Sequence, residues 1–152
     1  MSGEQPPARG EEPQETREPI TGDGWAAANL HALGEGYGFR KIRSALGVTA
    51  FGVNALVLPP RFEASPHFHE EQEELYLVHQ GLVEIELGDG AIVRLTPGGV
   101  ARVDPSTVRR LRNVGYEDAV VVIVGGKGGY VGRDGRLPEG VERGGRPIDD
   151  PS

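Results

Sequence analysis

The 152-residue chain contains no cysteine, one methionine and one tryptophan, and aromatic residues make up only 6% of it. The absence of cysteine excludes disulfides, thiolate metal ligands and a cysteine nucleophile, so any metal must be held by His, Asp or Glu. Positive charge is also in short supply. Sixteen Lys and Arg against 23 Asp and Glu leave a net charge of −7, which argues against nucleic acid or an anionic membrane surface as the main partner. Long hydrophobic runs are missing as well: the longest, residues 119–124, is far short of the roughly 20 residues that span a bilayer. The Glu-, Pro- and Gln-rich start has no apolar stretch of the kind a signal peptide needs, so a soluble, cytoplasmic protein is expected.

What the chain has in quantity is glycine and proline, 24 and 12 residues, which implies many tight turns, unfolded segments or both. Residues 1–19 carry five Glu, two Arg and four Pro with nothing apolar to anchor them, the composition of a disordered tail. Residues 132–152 repeat the pattern around few apolar side chains and read as a loose extension. Between them, residues 20–131 form a single domain. Almost nothing there has a helical period. Instead, short apolar or alternating runs recur at 39–43, 49–58, 66–70, 73–79, 82–87, 91–96, 100–104, 108–113 and 119–124, the signature of an all-β sandwich or barrel. Gly88-Asp89-Gly90 marks a hairpin between alternating Val83, Ile85, Leu87 and Ala91, Val93, Leu95. The runs at 75–78 and 120–124 are apolar on both faces, so their outer faces need cover, which a partner subunit would supply.

Three of the four histidines fall within 13 positions. On an extended strand His67 and His69 present both imidazoles to one side, with Phe68 on the other. A turn through Glu70, Glu71 and Gln72 reverses the chain, and the returning strand carries Glu73 on one face and Glu74, Tyr76 and Val78 on the other, so a carboxylate can close on the two imidazoles. Two His and one carboxylate on rigid strands suit Fe(II) or Mn(II), and also Ni(II), Co(II) or Zn(II). The competing reading of the same residues is a hydrogen-bonded histidine pair in a polar pocket. His79 falls on the opposite face from Glu74 and reads as surface or interface. Gly125-Gly126-Lys127-Gly128-Gly129 lacks the spacing and the Ser or Thr of a phosphate-binding loop.

The order His-x-His, four residues, Glu, six residues, Gly, met by His67, His69, Glu74 and Gly81, resembles the first motif of the cupin family. The second cupin motif maps without a gap onto Gly98, Asp104, Ser106, Arg109 and Asn113, but only Gly98 and Asn113 keep the family's residue. Arg109 stands where metal-binding cupins have their fourth ligand, a histidine. The resemblance implies a double-stranded β-helix, or jelly-roll barrel, for residues 20–131, a homodimer, and a divalent metal on His67, His69 and Glu74. Alternation along the strand puts Arg109, Leu111 and Asn113 on one face and Arg110 and Arg112 on the other, and the cupin register implies that the Arg109 face points into the barrel beside the histidines. A guanidinium cannot ligate a cation. Arg109 is therefore expected to pair with Glu74, to grip an anionic substrate beyond a three-ligand metal, or to turn outward.

Two functions follow as expectations. One is a metal-dependent enzyme, a dioxygenase-like oxidoreductase or an isomerase, acting on a small acidic molecule with Arg109 as anchor and Tyr76 lining the pocket. The other is a metal-free, non-catalytic module that binds a small anionic or sugar-like ligand through Arg109. Cupins host many chemistries, so the fold alone does not select between them.

Overall fold

The computed structural model describes residues 13–149. Residues 1–12, most of the tail expected to be disordered, lie outside the described part. The strands are β1 (Ile20–Gly22), β2 (Trp25–Ala27), β3 (Gly38–Arg40), β4 (Gly52–Leu58), β5 (Phe62–Glu63), β6 (Phe68–His69), β7 (Glu73–Gln80), β8 (Val83–Leu87), β9 (Ile92–Leu95), β10 (Val100–Val103), β11 (Arg109–Asn113), β12 (Ala119–Gly126), β13 (Gly135–Arg136) and β14 (Arg146–Pro147). Two five-stranded antiparallel sheets, in the orders β10-β7-β12-β4-β3 and β14-β5-β11-β8-β9, give the expected all-β architecture. Two smaller pairs, β1-β2 and β13-β6, complete it.

Alternation decides what the sheets enclose. Tyr76 and Val78 of β7, Val83 and Ile85 of β8, Leu111 of β11 and Val121 of β12 are almost wholly buried in one shared core with Leu56 and Leu58. The same period sends Arg109 and Asn113 inward at 0% exposure, flanking Leu111 on its strand. Gly81 closes the turn from β7 to β8 at φ 92°, and a Cβ there would lie 2.8 Å from the Ala119 Cα, so this position admits no side chain. Asn113 ties the neighbouring loops together: its amide donates to the carbonyls of Leu58, Pro59 and Glu117, and its Oδ1 accepts the Gly115 N–H. The hairpin expected at residues 88–90 joins β8 to β9, with Val83 opposite Leu95 and Ile85 opposite Val93.

Three expectations need correction. The run at 39–43 is not all strand: the chain leaves β3 and forms one helical turn, α1 (Ile42–Leu46), closed by Gly47 in the left-handed conformation. That turn and Leu30 supply Ile42 and Leu30 as cover for Ala55, Val57 and Val120 on the outer face of the first sheet. The apolar outer face of β12 is thus partly covered by the chain itself, although Leu75 and Leu77 remain 42% and 37% exposed. The composition of 132–149 suggests a loose extension, yet β13 pairs with β6 and β14 with β5. Among the described residues no helix is long and apolar enough to cross a membrane.

The outer face of the second sheet is held by charge. Glu63, 7% exposed, accepts from Arg112 Nε at 3.0 Å, Arg146 Nε at 2.6 Å and Arg110 Nη1 at 3.3 Å. Glu84 continues the row by accepting from Arg94 and Arg112. Burial favours the protonated form of Glu63, but the Arg146 and Arg112 hydrogen bonds outweigh it and hold this carboxyl below its ordinary value.

Candidate metal centre

β6 and β7 follow one another through the short turn at residues 70–72 without pairing with each other, β6 being paired with β13 and His67 bridged to Arg109, and this connection brings the two imidazoles to the carboxylate. The ligand atoms of His67, His69 and Glu74 lie within 4.8 Å of one another. His69 Nε2 is 3.0 Å and His67 Nε2 3.7 Å from the same oxygen, Glu74 Oε1, and the two rings meet edge to face with centroids 5.2 Å apart. Glu74 is the carboxylate that closes on the pair; Glu73 points to the exposed side, where it pairs with Arg102. His79 is on the exposed side too, beside His31.

The rings are not simply paired to the carboxylate. His69 is only 8% exposed, and its Nε2, though near Glu74 Oε1, is not aligned for a hydrogen bond and has no other partner. A buried ring nitrogen without a partner is costly unless something fills the point at which it aims. Two imidazoles and one carboxylate converging on one point form the mixed nitrogen and oxygen set that divalent Fe, Mn, Ni or Zn accepts. By donor chemistry, then, the residues fit a divalent cation. His67, with 30% of its side chain exposed, lies on the open side of the cluster.

Arg109 and Tyr76 sit deeper, both fully buried. The outward position for Arg109 is thereby excluded. Its strand register is set by a pair of backbone hydrogen bonds with His67, 2.8 and 2.9 Å, which place the guanidinium beside the histidines. Nη1 donates to the carbonyls of Pro105 at 3.1 Å and Thr107 at 2.8 Å, and Nε donates to the Tyr76 hydroxyl at 3.1 Å. Nη2 is buried without a hydrogen-bond partner, 3.6 Å from Glu74 Oε1. Arg109 is thus anchored mainly by carbonyls and a phenol, and it approaches Glu74 without clamping it. The Tyr76 hydroxyl completes the link by donating to Glu74 Oε1 at 2.6 Å.

These contacts fix the protonation states. Burial favours a neutral Glu74, but the imidazoles of His67 and His69 and the Tyr76 hydroxyl outweigh it and hold the carboxyl well below the usual carboxylate range. Burial, reinforced by the Glu74 charge, pushes the Tyr76 phenol well above its ordinary value, so it acts as a donor and not as a base. For His69, burial alone would favour the neutral ring, yet the carboxylates of Glu74 and Asp134 on either side raise its pKa.

Asp134 is the site residue that sequence reasoning misses. Its carboxylate, 6% exposed, lies 2.7 Å from His69 Nδ1, on the far side of the ring from Glu74. Nothing in the sequence links it to the cluster: it stands 65 positions after His69 in a Gly- and Arg-rich stretch that reads as a turn.

The comparisons agree with the fold. The family model for the cupin domain matches residues 55–125. A search of curated proteins finds no relative of this sequence. Among solved structures, a cupin protein from Bacteroides fragilis is similar at 22% identity and a TM-score of 0.54, over 68% of this chain and 90% of that one. A sugar phosphate isomerase of the cupin superfamily from Silicibacter pomeroyi has the same identity and TM-score, over 74% and 71%. A DMSP lyase from Ruegeria pomeroyi is 19% identical with a TM-score of 0.52, over 60% of this chain but only 45% of its own length. This chain therefore spans less than half of that lyase, and at these identities the likeness is one of fold. The family match, the two antiparallel sheets and the His67, His69 and Glu74 cluster lead to one conclusion: this chain carries a cupin domain over residues 55–125.

Proposed function

We propose that this cupin holds a divalent metal ion on His67, His69 and Glu74 and uses it on a small acidic molecule, as a metal-dependent enzyme of the isomerase or dioxygenase kind. The observation that carries the reading is the convergence of the buried His69 Nε2, which makes no aligned hydrogen bond, and of His67 Nε2 on one oxygen of Glu74. A bound ion of this kind supplies Lewis acidity toward an oxygen of the substrate. The chain's own residues do the rest. Arg109, with an unused N–H directed into the cluster, offers a fixed positive charge to a carboxylate or phosphate. Tyr76 keeps its proton and holds Glu74 and Arg109 in register through one hydroxyl. With a divalent ion present, the positive charges of ion and guanidinium exceed the negative charges of Glu74 and Asp134, which favours an anionic ligand over a neutral one.

A second reading rests on the 3.6 Å approach of Arg109 Nη2 to Glu74 Oε1. Here the guanidinium takes the place of the ion, and the pocket is a metal-free binding site for a small anion. Elemental analysis of untagged protein separates the two, after incubation with Fe(II), Mn(II), Ni(II) and Zn(II), for wild type, Glu74→Ala and Arg109→His. Near one equivalent in wild type, little in Glu74→Ala and at least as much in Arg109→His supports the metal enzyme. No metal in wild type, with a site created only in Arg109→His, supports the anion-binding module.

We further propose that the chain is a homodimer through the outer face of β7 and β10, where Leu75, Leu77 and Val100 stand exposed in adjacent strands. Light scattering on wild type and Leu77→Glu tests this, and a monomeric wild type refutes it.

A further inference from the structure

We propose that Asp134, carried on the C-terminal strap, is a positioning residue that fixes the tautomer and orientation of His69. Its consequence for metal binding rests on the metal reading above. The strap reaches the site by strand pairing: in β13, Gly135 lies opposite His69 and Arg136 opposite Phe68. A Cβ at Gly135 would lie 3.4 Å from His69 Cε1, van der Waals distance, so the strap backbone runs directly beside the imidazole. Arg136 fastens it from outside through an ion pair with Glu70 at 3.2 Å.

The Asp134 carboxylate then divides its work. Oδ2 accepts the backbone N–H groups of Glu71 at 2.8 Å and Gln72 at 3.0 Å, which holds the turn between β6 and β7. Oδ1 accepts from the Gln72 side-chain amide and sits 2.7 Å from His69 Nδ1. With two backbone N–H groups on Oδ2 and a side-chain amide on Oδ1, the carboxylate meets all its neighbours as an acceptor. The ring proton must therefore be on Nδ1, which leaves the Nε2 lone pair facing His67 and Glu74. A carboxylate behind a ligand histidine orients the ring, and it raises the basicity of the other nitrogen. It also adds a second negative charge to a cluster that holds Arg109, so that a divalent ion enters against a net negative environment. Oδ2 alone would anchor the turn. The contact from Oδ1 to the ring serves His69 itself.

The test uses the full chain labelled with ¹⁵N, and ring-nitrogen correlation spectra taken above the pH at which His69 loses its second proton. In wild type the remaining proton is expected on Nδ1; a proton on Nε2 overturns the proposal without any variant. Asp134→Asn, which keeps size and strap, is expected to abolish the preference for Nδ1–H and to weaken Mn(II) or Zn(II) binding by about 10- to 100-fold. Arg136→Ala loosens the strap without touching the ring, and the wild-type tautomer is expected to persist. Asp134→Asn with wild-type tautomer and affinity refutes the assignment. So does Arg136→Ala reproducing the Asp134→Asn spectrum, since the strap would then act through folding alone. If Asp134→Asn fails to fold, the wild-type tautomer decides. If wild type binds no metal, the metal reading fails, while the tautomer in wild type and Asp134→Asn still tests the role of Asp134.

Discussion

Replacing Tyr76 by phenylalanine removes one oxygen from the centre of the molecule and leaves the packing in place. The ring is fully buried in the shared core, so the apolar surface it hides is unchanged by the substitution. What disappears is the donation to Glu74 Oε1 at 2.6 Å and the acceptance from Arg109 Nε at 3.1 Å, each a hydrogen bond to a charged group. At about 1.5–3 kcal/mol for such a bond, the gross loss is about 3–6 kcal/mol. Arg109 keeps its two carbonyl acceptors and Glu74 keeps the imidazoles, so relaxation recovers part of it, and a net destabilisation of about 2–4 kcal/mol is expected. For a domain of this size that corresponds to a fall of about 4–16 °C in Tm.

The assay is urea and thermal unfolding of chelator-treated wild type and Tyr76→Phe, so that no bound ion offsets the loss. The same substitution should move the Glu74 pKa upward, because a donor that favours the carboxylate is gone. A carboxyl held low in the folded state stabilises above its unfolded pKa and loses that contribution as pH falls. The variant should therefore lose less stability on acidification than wild type. A destabilisation below about 0.5 kcal/mol would show that the hydroxyl does not hold Glu74 and Arg109, and the account of the site would fail at its middle link.

Further outcomes follow from other parts of the molecule. Glu63→Gln removes the carboxylate shared by Arg110, Arg112 and Arg146; since Glu63 is held below its ordinary 4.5, its contribution is present above that pH and disappears below it. The variant should thus be less stable than wild type at neutral pH and approach it in acid, by urea unfolding at several pH values. Asn113→Ala leaves three carbonyls and one N–H without their partner in a fully buried position, and should cost about 3–4 kcal/mol without altering metal content. Gly81→Ala places a Cβ against Ala119 at a positive φ and should destabilise by about 2 kcal/mol or more, read by thermal unfolding.

Period-two alternation, turn residues and the spacing of a few polar side chains were enough to show the β architecture, the hairpin at 88–90 and the grouping of His67, His69 and Glu74. They are legible because each depends on residues close in sequence: the spacing of His67, His69 and Glu74 across a short turn marks the group, although pairing with Arg109 and with β13 holds the histidines in place. That Arg109 shares a face with Leu111 and Asn113 follows from the same alternation, and the cupin resemblance turned that face inward. Which of its three expected positions it takes does not follow, because that depends on the Pro105 and Thr107 carbonyls, the Tyr76 hydroxyl and a backbone pairing with His67, 42 residues away.

The tertiary structure alone decided what lies behind the histidines and what covers the sheet. Asp134 reaches His69 because β13 pairs with β6, and a two-residue strand among glycines has too little hydrophobic pattern to announce its partner. Likewise, composition reads 132–149 as a loose extension. Strand pairing with β5 and β6 and the buried hydrogen bonds of Asp134 supply what that segment lacks. Local pattern therefore placed the residues that would hold a metal, and long-range pairing determined the charges and hydrogen bonds that set their protonation.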